Sequence, residues 1–307
     1  TGAREYRPKE YLYGEDPRVK TSLELDEILR NHPHELDSVQ STVFIQCVGS
    51  RETSRPYCSR VCCTHSISSA VELKKKHPSM DVYVLYRDIR TYGQREEIYN
   101  QARQAGVIFI RYDLDTKPQV SVDQDRMTLS VMDPVLQSRL HIKTDVCVLA
   151  AAIVPNEHEH LAQLYKLPVN EDGFFAERHV KLGPSEFAID GIFLCGMAHY
   201  PKSIDESIAQ GKAAASRAVT LLAREKIFSS GEIAEVNPVW CSGCGVCVAI
   251  CPYAAPRLLE QGPYNGKANI NASLCKGCGL CAASCRSGAI ELHGGEMQQF
   301  YSMIEAI

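Results

Sequence analysis

Hydrophobic residues fall along this chain in several rhythms, and the changes of rhythm outline its parts. The runs Val43-Phe44-Ile45, Val82-Tyr83-Val84-Leu85-Tyr86, Val107-Ile108-Phe109-Ile110 and Val146-Cys147-Val148-Leu149-Ala150 are apolar without alternation. Short runs of this kind predict strands buried on both faces. Between them lie helical patterns over Ser66–Lys76 and Glu96–Gln104. The first ends in Lys74, Lys75 and Lys76, where basic groups suit the negative end of the helix dipole. Strand and helix in alternation predict a parallel sheet with both faces covered. Val120-Ser121-Val122 and Thr128-Leu129-Ser130-Val131 alternate or nearly so, which predicts an antiparallel hairpin pair beside that sheet.

These pieces compose a Rossmann-like inner domain over 41–152. Ahead of it, 1–40 reads as a linker with one short helix at Leu23–Arg30, and its abrupt start is not that of a natural domain. Behind it, 153–228 opens as a loop-rich segment with turn signals at Asp172-Gly173 and Gly183-Pro184. There follow an expected strand, Gly191-Ile192-Phe193-Leu194-Cys195, then Gly196, then an alanine-rich helix from Ser203 to Glu225. Ser203 with Glu206 three residues on is a capping-box pattern. The strand–Gly–helix unit aims a helix N-terminus at whatever lies beyond the strand, a site suited to an anionic or electron-rich group. Ser229-Ser230-Gly231-Glu232 joins this part to a tail over 229–307.

With 307 residues, 45% of them hydrophobic, the chain can bury two or three cores. A net charge of −4 supplies no basic footprint for nucleic acid. No apolar run reaches the ~20 residues that span a bilayer, and Thr1-Gly2-Ala3-Arg4 has no signal-peptide core, so a cytoplasmic protein is expected. The fourteen cysteines change the picture most. In a long chain in a reducing compartment, grouped cysteines point to metal sites rather than disulfides. Cys147 and Cys195 fall outside the groups and are expected to be small buried hydrophobes.

The tail carries Cys241-x-x-Cys244-x-x-Cys247-x-x-x-Cys251-Pro252 and again Cys275-x-x-Cys278-x-x-Cys281-x-x-x-Cys285. This doubled run is the ligand set of two [4Fe–4S] clusters in a ferredoxin-type α+β domain, where the fourth cysteine of each run serves the other run's cluster. Cys241, Cys244, Cys247 and Cys285 are therefore assigned to one cluster, and Cys275, Cys278, Cys281 and Cys251 to the other. Arg286 stands where the first run has Pro252, which loses a rigid turn and no ligand.

A second group sits where a nucleotide-binding Rossmann unit would carry Gly-x-Gly-x-x-Gly; here the sequence is Cys47-Val48-Gly49-Ser50-Arg51, and the fingerprint is absent. Cys47, Cys58, Cys62 and Cys63 form a set of four. Adjacent Cys62 and Cys63 cannot point the same way from a regular helix, so a common site requires an irregular turn. Spacing alone leaves a [4Fe–4S] cluster, zinc and a redox-active thiol cluster equally open. His65 is near enough in the chain to substitute as a ligand, but it reads first as an ordinary polar histidine, as do His32, His34, His158 and His160.

Three stretches, Cys47-Val48-Gly49-Ser50-Arg51 with Tyr57-Cys58-Ser59-Arg60-Val61-Cys62-Cys63, Tyr83 to Gly93, and Cys195-Gly196-Met197-Ala198-His199-Tyr200-Pro201-Lys202-Ser203-Ile204-Asp205-Glu206, resemble the A subunit of heterodisulfide reductase. The doubled cysteine run resembles that family too. The resemblance implies a thioredoxin-reductase-like flavoprotein body holding FAD, without a pyridine-nucleotide site, and a third [4Fe–4S] cluster ligated by Cys47, Cys58, Cys62 and Cys63. It implies that Gly2 ends a first FAD-binding segment, that Pro155 marks the return into the FAD domain, and that Gly196, Ala198, His199, Lys202, Ser203 and Ile204 lie near the flavin. Cys195, Lys202 and Glu206 are candidates for tuning it, with packing and capping as their plainer roles. Two departures stand out: the family's N-terminal FAD half is not in this chain, and Ala150-Ala151-Ala152 stands where related flavoproteins have Ala-Thr-Gly.

The resulting expectation is an oxidoreductase component that moves electrons between FAD and iron–sulfur clusters, in flavin-based electron bifurcation. Its expected partners are other heterodisulfide reductase-like subunits, ferredoxin, and a hydrogenase or other dehydrogenase as donor; the N-terminal half is expected either on a separate chain, if this is a split subunit, or in the rest of the same protein, if it is a fragment. The rival is a passive ferredoxin-like electron wire. An NAD(P)H-dependent disulfide reductase is disfavoured, because no Cys-x-x-Cys lies outside the cluster runs.

Overall fold

The structure, a computed structural model, describes residues 1–124, 126–226 and 232–306. It divides into two compact units. The first comprises Thr1–Glu157, Val169–Phe175 and Cys195–Gln210; the second comprises His158–Pro168, Ala176–Leu194 and Gly211–Ile307.

In the first unit the chain runs β1 (Ala3–Glu5), β2 (Val19–Thr21), α1 (Ser22–Asn31), β3 (Ser41–Val48), α2 (Cys62–Lys76), β4 (Asp81–Tyr86), α3 (Glu96–Gln104) and β5 (Ile108–Arg111). It continues through β6 (Gln119–Asp123), β7 (Arg126–Asp133), β8 (Ser138–Thr144), β9 (Val146–Ala151) and β10 (Ile153–Pro155). The sheet has the order β2-β9-β3-β4-β5, and every pairing in it is parallel. Successive side chains of a strand face opposite ways. Phe44, Val82, Val84 and Val148 accordingly pack with Leu25, Ile67, Ala70 and Leu73 of the helices. Val43, Ile45, Leu85, Cys147 and Leu149 pack on the other face with Met127, Leu129 and Val131. The alternating residues 119–144 thus form a three-stranded antiparallel sheet, β6-β7-β8, that covers the second face of the parallel one.

The helix expected at Leu23–Arg30 is α1, whereas Val19–Thr21 just before it, expected as linker, forms an edge strand. Val19 to Thr21 pairs with Cys147 to Leu149. Thr21 caps α1 in a capping box: its hydroxyl accepts from the Glu24 N–H while the Glu24 carboxylate accepts from the Thr21 N–H. Another correction concerns α2, which starts at Cys62, four residues before its expected start at Ser66.

The second unit contains α4 (Glu159–Tyr165) and the C-terminal part of α5 (Ile204–Leu222). Its tail runs β11 (Ala234–Val236), α6 (Val246–Ile250), β12 (Pro256–Leu258), β13 (Ala268–Ile270), α7 (Leu280–Ala283), β14 (Ile290–Leu292) and α8 (Met297–Glu305). β11 pairs antiparallel with β14, and β12 with β13. The two cysteine runs of the sequence repeat therefore each lead into a short helix, α6 and α7, flanked by two-stranded ribbons. The joining residues 229–231 lie outside the described residues.

The expected strand Gly191–Cys195 is not one. Its pairing is a single bridge between Glu186 and Phe193, with a Leu194 N–H to Ser185 carbonyl bond of 2.9 Å beside it. An apolar run becomes a strand only where a neighbour supplies a ladder, and segment 185–187 supplies one rung. Cys195 at its end is exposed, contrary to the expectation of burial, whereas Cys147 is buried as expected.

The core assignment is checked by truncation. Phe44→Ala removes a side chain with no exposed surface and is expected to cost roughly 3–5 kcal/mol of unfolding free energy. Val135→Ala, at an 84% exposed turn position, should change it by less than about 0.5 kcal/mol. Urea denaturation of the full chain measures both, and equal sensitivity would contradict the layer assignment.

Candidate functional site

In the tail, the backbone is turned for ligation before any side chain is considered. Gly245 and Gly279 precede α6 and α7 with φ of 74° and 75°. Gly243 and Gly277, inside the Cys-x-Gly-Cys turns, have φ of 72° and 63°. A Cβ at Gly243 would lie 2.6 Å from the Gly266 carbonyl oxygen, and one at Gly277 would lie 2.3 Å from that of Glu232. Glycine is required there twice over, by conformation and by close approach.

Backbone amides then point at the sulfurs. The N–H groups of Gly243 and Ala268 donate to Cys241 Sγ at 3.4 Å, that of Ala234 to Cys275 Sγ at 3.3 Å, and that of Ala289 to Cys285 Sγ at 3.3 Å. Burial raises the Cys281 thiol, and Cys275 and Cys251 add to the rise. Burial likewise raises Cys247, with Cys241 and Cys244 adding to it. The Cys244 thiol is lowered, first by the Val246 N–H, while Cys285 acts against that shift. Cys251 thus adjoins the second run, and Cys285 the first. Soft thiolates with amide donors on sulfur are the donor chemistry of iron–sulfur clusters, so the residues present fit that group.

The inner set is built from strained turns at the end of β3 and the start of α2. Cys47, Arg51 and Arg60 all have positive φ, at 61°, 57° and 64°. A non-glycine residue in this region costs roughly 1–2 kcal/mol, and three such residues fall between the end of β3 and the start of α2. Cys62 and Cys63 occupy the first turn of α2, where no side chain caps the free N–H groups and the helix dipole favours negative sulfur. Cys47, Cys62 and Cys63 are buried and Cys58 partly so.

The four thiols act on one another. The hydrogen bond between Cys62 and Cys63, then burial, raise Cys62, with Cys47 and Cys58 adding to the rise; the same bond brings Cys63 down to about 7. Burial raises Cys47 while the nearby Arg87 opposes it. Arg51 Nη1 lies 3.9 Å from Cys47 Sγ, and its Nη2 holds Asp88 at 2.5 Å. Arg87 donates to the carbonyls of Ser50 and Arg51 at 2.8 and 2.9 Å, and Arg90 also lowers Cys63. Among the described residues, no three His, Cys, Asp or Glu side chains converge on a single ion. Soft thiol donors with arginines beside them are a donor set that an iron–sulfur cluster accepts. His65 takes no part and pairs with Asp26 at 2.9 Å.

The residues expected along a flavin fall in two places in the same unit. Gly2 and Pro155 meet where β1 pairs with β10; the Gly2 carbonyl accepts from the Asn156 N–H at 3.0 Å. The second place is the turn Gly196 to Ile204. Buried Lys202 donates to the Gly196 carbonyl at 2.8 Å and to Gln210 Oε1 at 2.7 Å, and lies 3.3 Å from His199 Nδ1. Just ahead of α5, Glu206 Oε2 accepts from the Ser203 N–H and hydroxyl at 3.0 Å each. The Ala198 carbonyl accepts from the Phe175 N–H at 3.1 Å, and Ile204 is exposed.

The cysteine loop touches both places. Tyr57 donates to the Ile153 carbonyl at 2.8 Å and packs edge-on against Phe174 and Tyr200, with centroids 5.6 and 5.8 Å away. Arg60 binds Glu206 and, at 3.2 Å, the Tyr92 hydroxyl. Tyr57, Arg51, Arg60, Arg87 and Gln210 were not singled out from sequence. Their partners lie 31 or more residues away in most cases, so only the adjacency of Tyr57 and Arg60 to Cys58 was there to be noticed.

An α/β body with one cysteine set and a tail with a doubled one define an iron–sulfur protein. The model of the 4Fe-4S dicluster domain matches residues 240–292, so the tail is a two-cluster domain. The chain is 38% identical to the second of the CoB–CoM heterodisulfide reductase iron-sulfur A subunits of Methanopyrus kandleri, over 82% of this chain and 40% of that one. It is 36% identical to the corresponding A subunit of Methanocaldococcus jannaschii, over 97% of this chain and 47% of that one. The chain belongs to the heterodisulfide reductase A-subunit family, and it spans less than half the length of these relatives. Among solved structures, it is similar to T. acidophilum thioredoxin reductase with TM-score 0.48 and 11% identity, over 73% of this chain and 64% of that one.

The glycine geometry gives a test. Gly277→Ala, which collides with a backbone oxygen, should lower the iron-to-protein ratio of the full chain. Gly262→Ala, at φ 90° but with open space around it, should leave that ratio unchanged. Equal iron in both variants would contradict the role given to the Cys-x-Gly-Cys turns.

Proposed function

We propose that this chain is the electron-transferring flavin and iron–sulfur portion of a heterodisulfide reductase-like complex, with FAD bound along Gly2, Pro155 and the Gly196–Ile204 turn. On this reading Cys47, Cys58, Cys62 and Cys63 ligate a third [4Fe–4S] cluster, and the tail's two clusters are ligated crosswise, Cys285 completing the first run's set and Cys251 the second's. Bound flavin takes electrons singly or in pairs whereas each cluster takes one, so the two kinds of group side by side convert paired into single-electron flow.

One observation carries the reading: Tyr57 and Arg60, on either side of Cys58, contact Tyr200 and Glu206 of the segment assigned to the flavin. The cysteine set and that segment are thereby held in one unit. Tyr57, Phe174 and Tyr200 form an aromatic wall that excludes water there. Arg51, Arg87 and Arg90 offset negative charge gathered on the sulfurs. Lys202, fixed by the Gly196 carbonyl and Gln210, keeps a donor beside His199.

Relatives named as reducing both a CoB–CoM heterodisulfide and ferredoxin support placing the chain in electron bifurcation. Its partners are then the other subunits of such a complex, ferredoxin and a hydrogenase or other dehydrogenase. No described helix is long and apolar enough to cross a membrane.

The chain purified anaerobically with its natural partners should carry FAD and about twelve irons with equal acid-labile sulfide, four per cluster. About eight irons would remove the inner cluster from the account. Full iron without FAD would leave an electron wire that catalyses nothing.

A further inference from the structure

Among the described residues, two buried polar side chains near the inner cysteines in the chain have no hydrogen-bond partner. Gln46 has no exposed surface, yet neither its Nε2 nor its Oε1 is paired with a described group. Ser66, 1% exposed, is in the same condition at Oγ. Leaving such a group unsatisfied costs about 1–3 kcal/mol, and two apolar residues of similar size would avoid that cost. Both positions would read as core were they not polar.

Their placement is specific. Along β3, Val43 and Ile45 face the antiparallel sheet, while Phe44 faces the helices; Gln46 stands one residue before Cys47, where the ladder with β9 shifts register between Ile45 and Val48. Along α2, Cys63, Ser66, Ile67, Ala70 and Leu73 follow the three-and-four spacing of one helix face, and all are buried. Ser66 lies one turn beyond Cys62 and Cys63 along α2. A buried amide on the strand and a buried hydroxyl on the helix thus adjoin the cysteines in the chain, with no acceptor among the described residues.

We propose that Gln46 Nε2 and Ser66 Oγ donate hydrogen bonds to the sulfurs of the inner cluster, and that they are positioning residues which raise its reduction potential. The proposal rests on the ligand set Cys47, Cys58, Cys62 and Cys63. Hydrogen bonds to cluster sulfur favour the more negative, reduced state, so removing a donor lowers the potential. Gln46→Met keeps the volume and removes the donor; Ser66→Ala removes a donor, and Ser66→Thr restores it.

The experiment is an EPR-monitored redox titration of the full chain, following the component that Cys62→Ser eliminates, with iron counted in each sample. Gln46→Met and Ser66→Ala should each keep the wild-type iron and lower the reduced-to-oxidised ratio at fixed potential by about tenfold, a shift of about 59 mV for one electron. Ser66→Thr should titrate with the wild type. If Gln46→Met loses iron, the Ser66 pair decides the matter alone. Unmoved potentials with full iron would overturn the proposal, including where thermal stability falls, since a buried water would then be the partner. A wild-type chain with only about eight irons would instead remove the ligand set beneath it, and the two failures are told apart by the iron count.

Discussion

Thiolates repel, and four of them share a small volume only where the backbone aims them inward and positive charge or metal offsets them. The inner site meets that constraint with material from distant parts of the chain. The bulged end of β3 turns Cys47 inward, a left-handed residue at Arg60 precedes the first turn of α2, and Arg51 and Arg87 come from the loops after β3 and β4. Much of the first unit serves to hold these pieces in register. The parallel sheet fixes the distance between β3 and β4, the antiparallel sheet seals its other face, and α2 presents two cysteines at its positive end.

The tail meets the same constraint in another way. Its buried cluster holds Cys241, Cys247, Cys251, Cys275 and Cys281 with Ala234, Ala255, Ala268, Ala289 and Ile290. Small side chains and sulfurs bury little apolar area, and domains of this size seldom stand on such a core alone. In small domains with cores of this kind, metal ligation supplies much of the folding free energy. The first unit, with Phe44, Leu25, Ile67 and Leu149 fully buried, has a conventional core of its own.

Much of this was legible in the residues. Unalternated runs announced β3, β4 and β9, because strands covered on both faces leave their pattern in every position. The dicluster tail was legible from the spacing of its cysteines, because two cubes impose a period on the chain. Val19-Lys20-Thr21 was not, being three residues long at a sheet edge with one polar position. The start of α2 was misplaced because Val61 gives no capping side chain and the cysteines looked like loop ligands. Gly191–Cys195 misled in the opposite sense, since an apolar run does not say whether a neighbour exists to pair with it. Gln46, a lone amide within Val43-Phe44-Ile45-Gln46-Cys47-Val48, was a signal in plain view, but only burial without a partner gives it meaning.

The central claim is that Cys47, Cys58, Cys62 and Cys63 form a metal centre within the α/β unit, separate from the dicluster tail. Mössbauer spectroscopy of the iron-57-loaded chain, with and without Cys62→Ser, tests it most directly. The substitution is expected to remove about one third of the [4Fe–4S] absorption and to leave the tail's share intact. A Cys62→Ser chain whose spectrum and iron content equal the wild type's would contradict it.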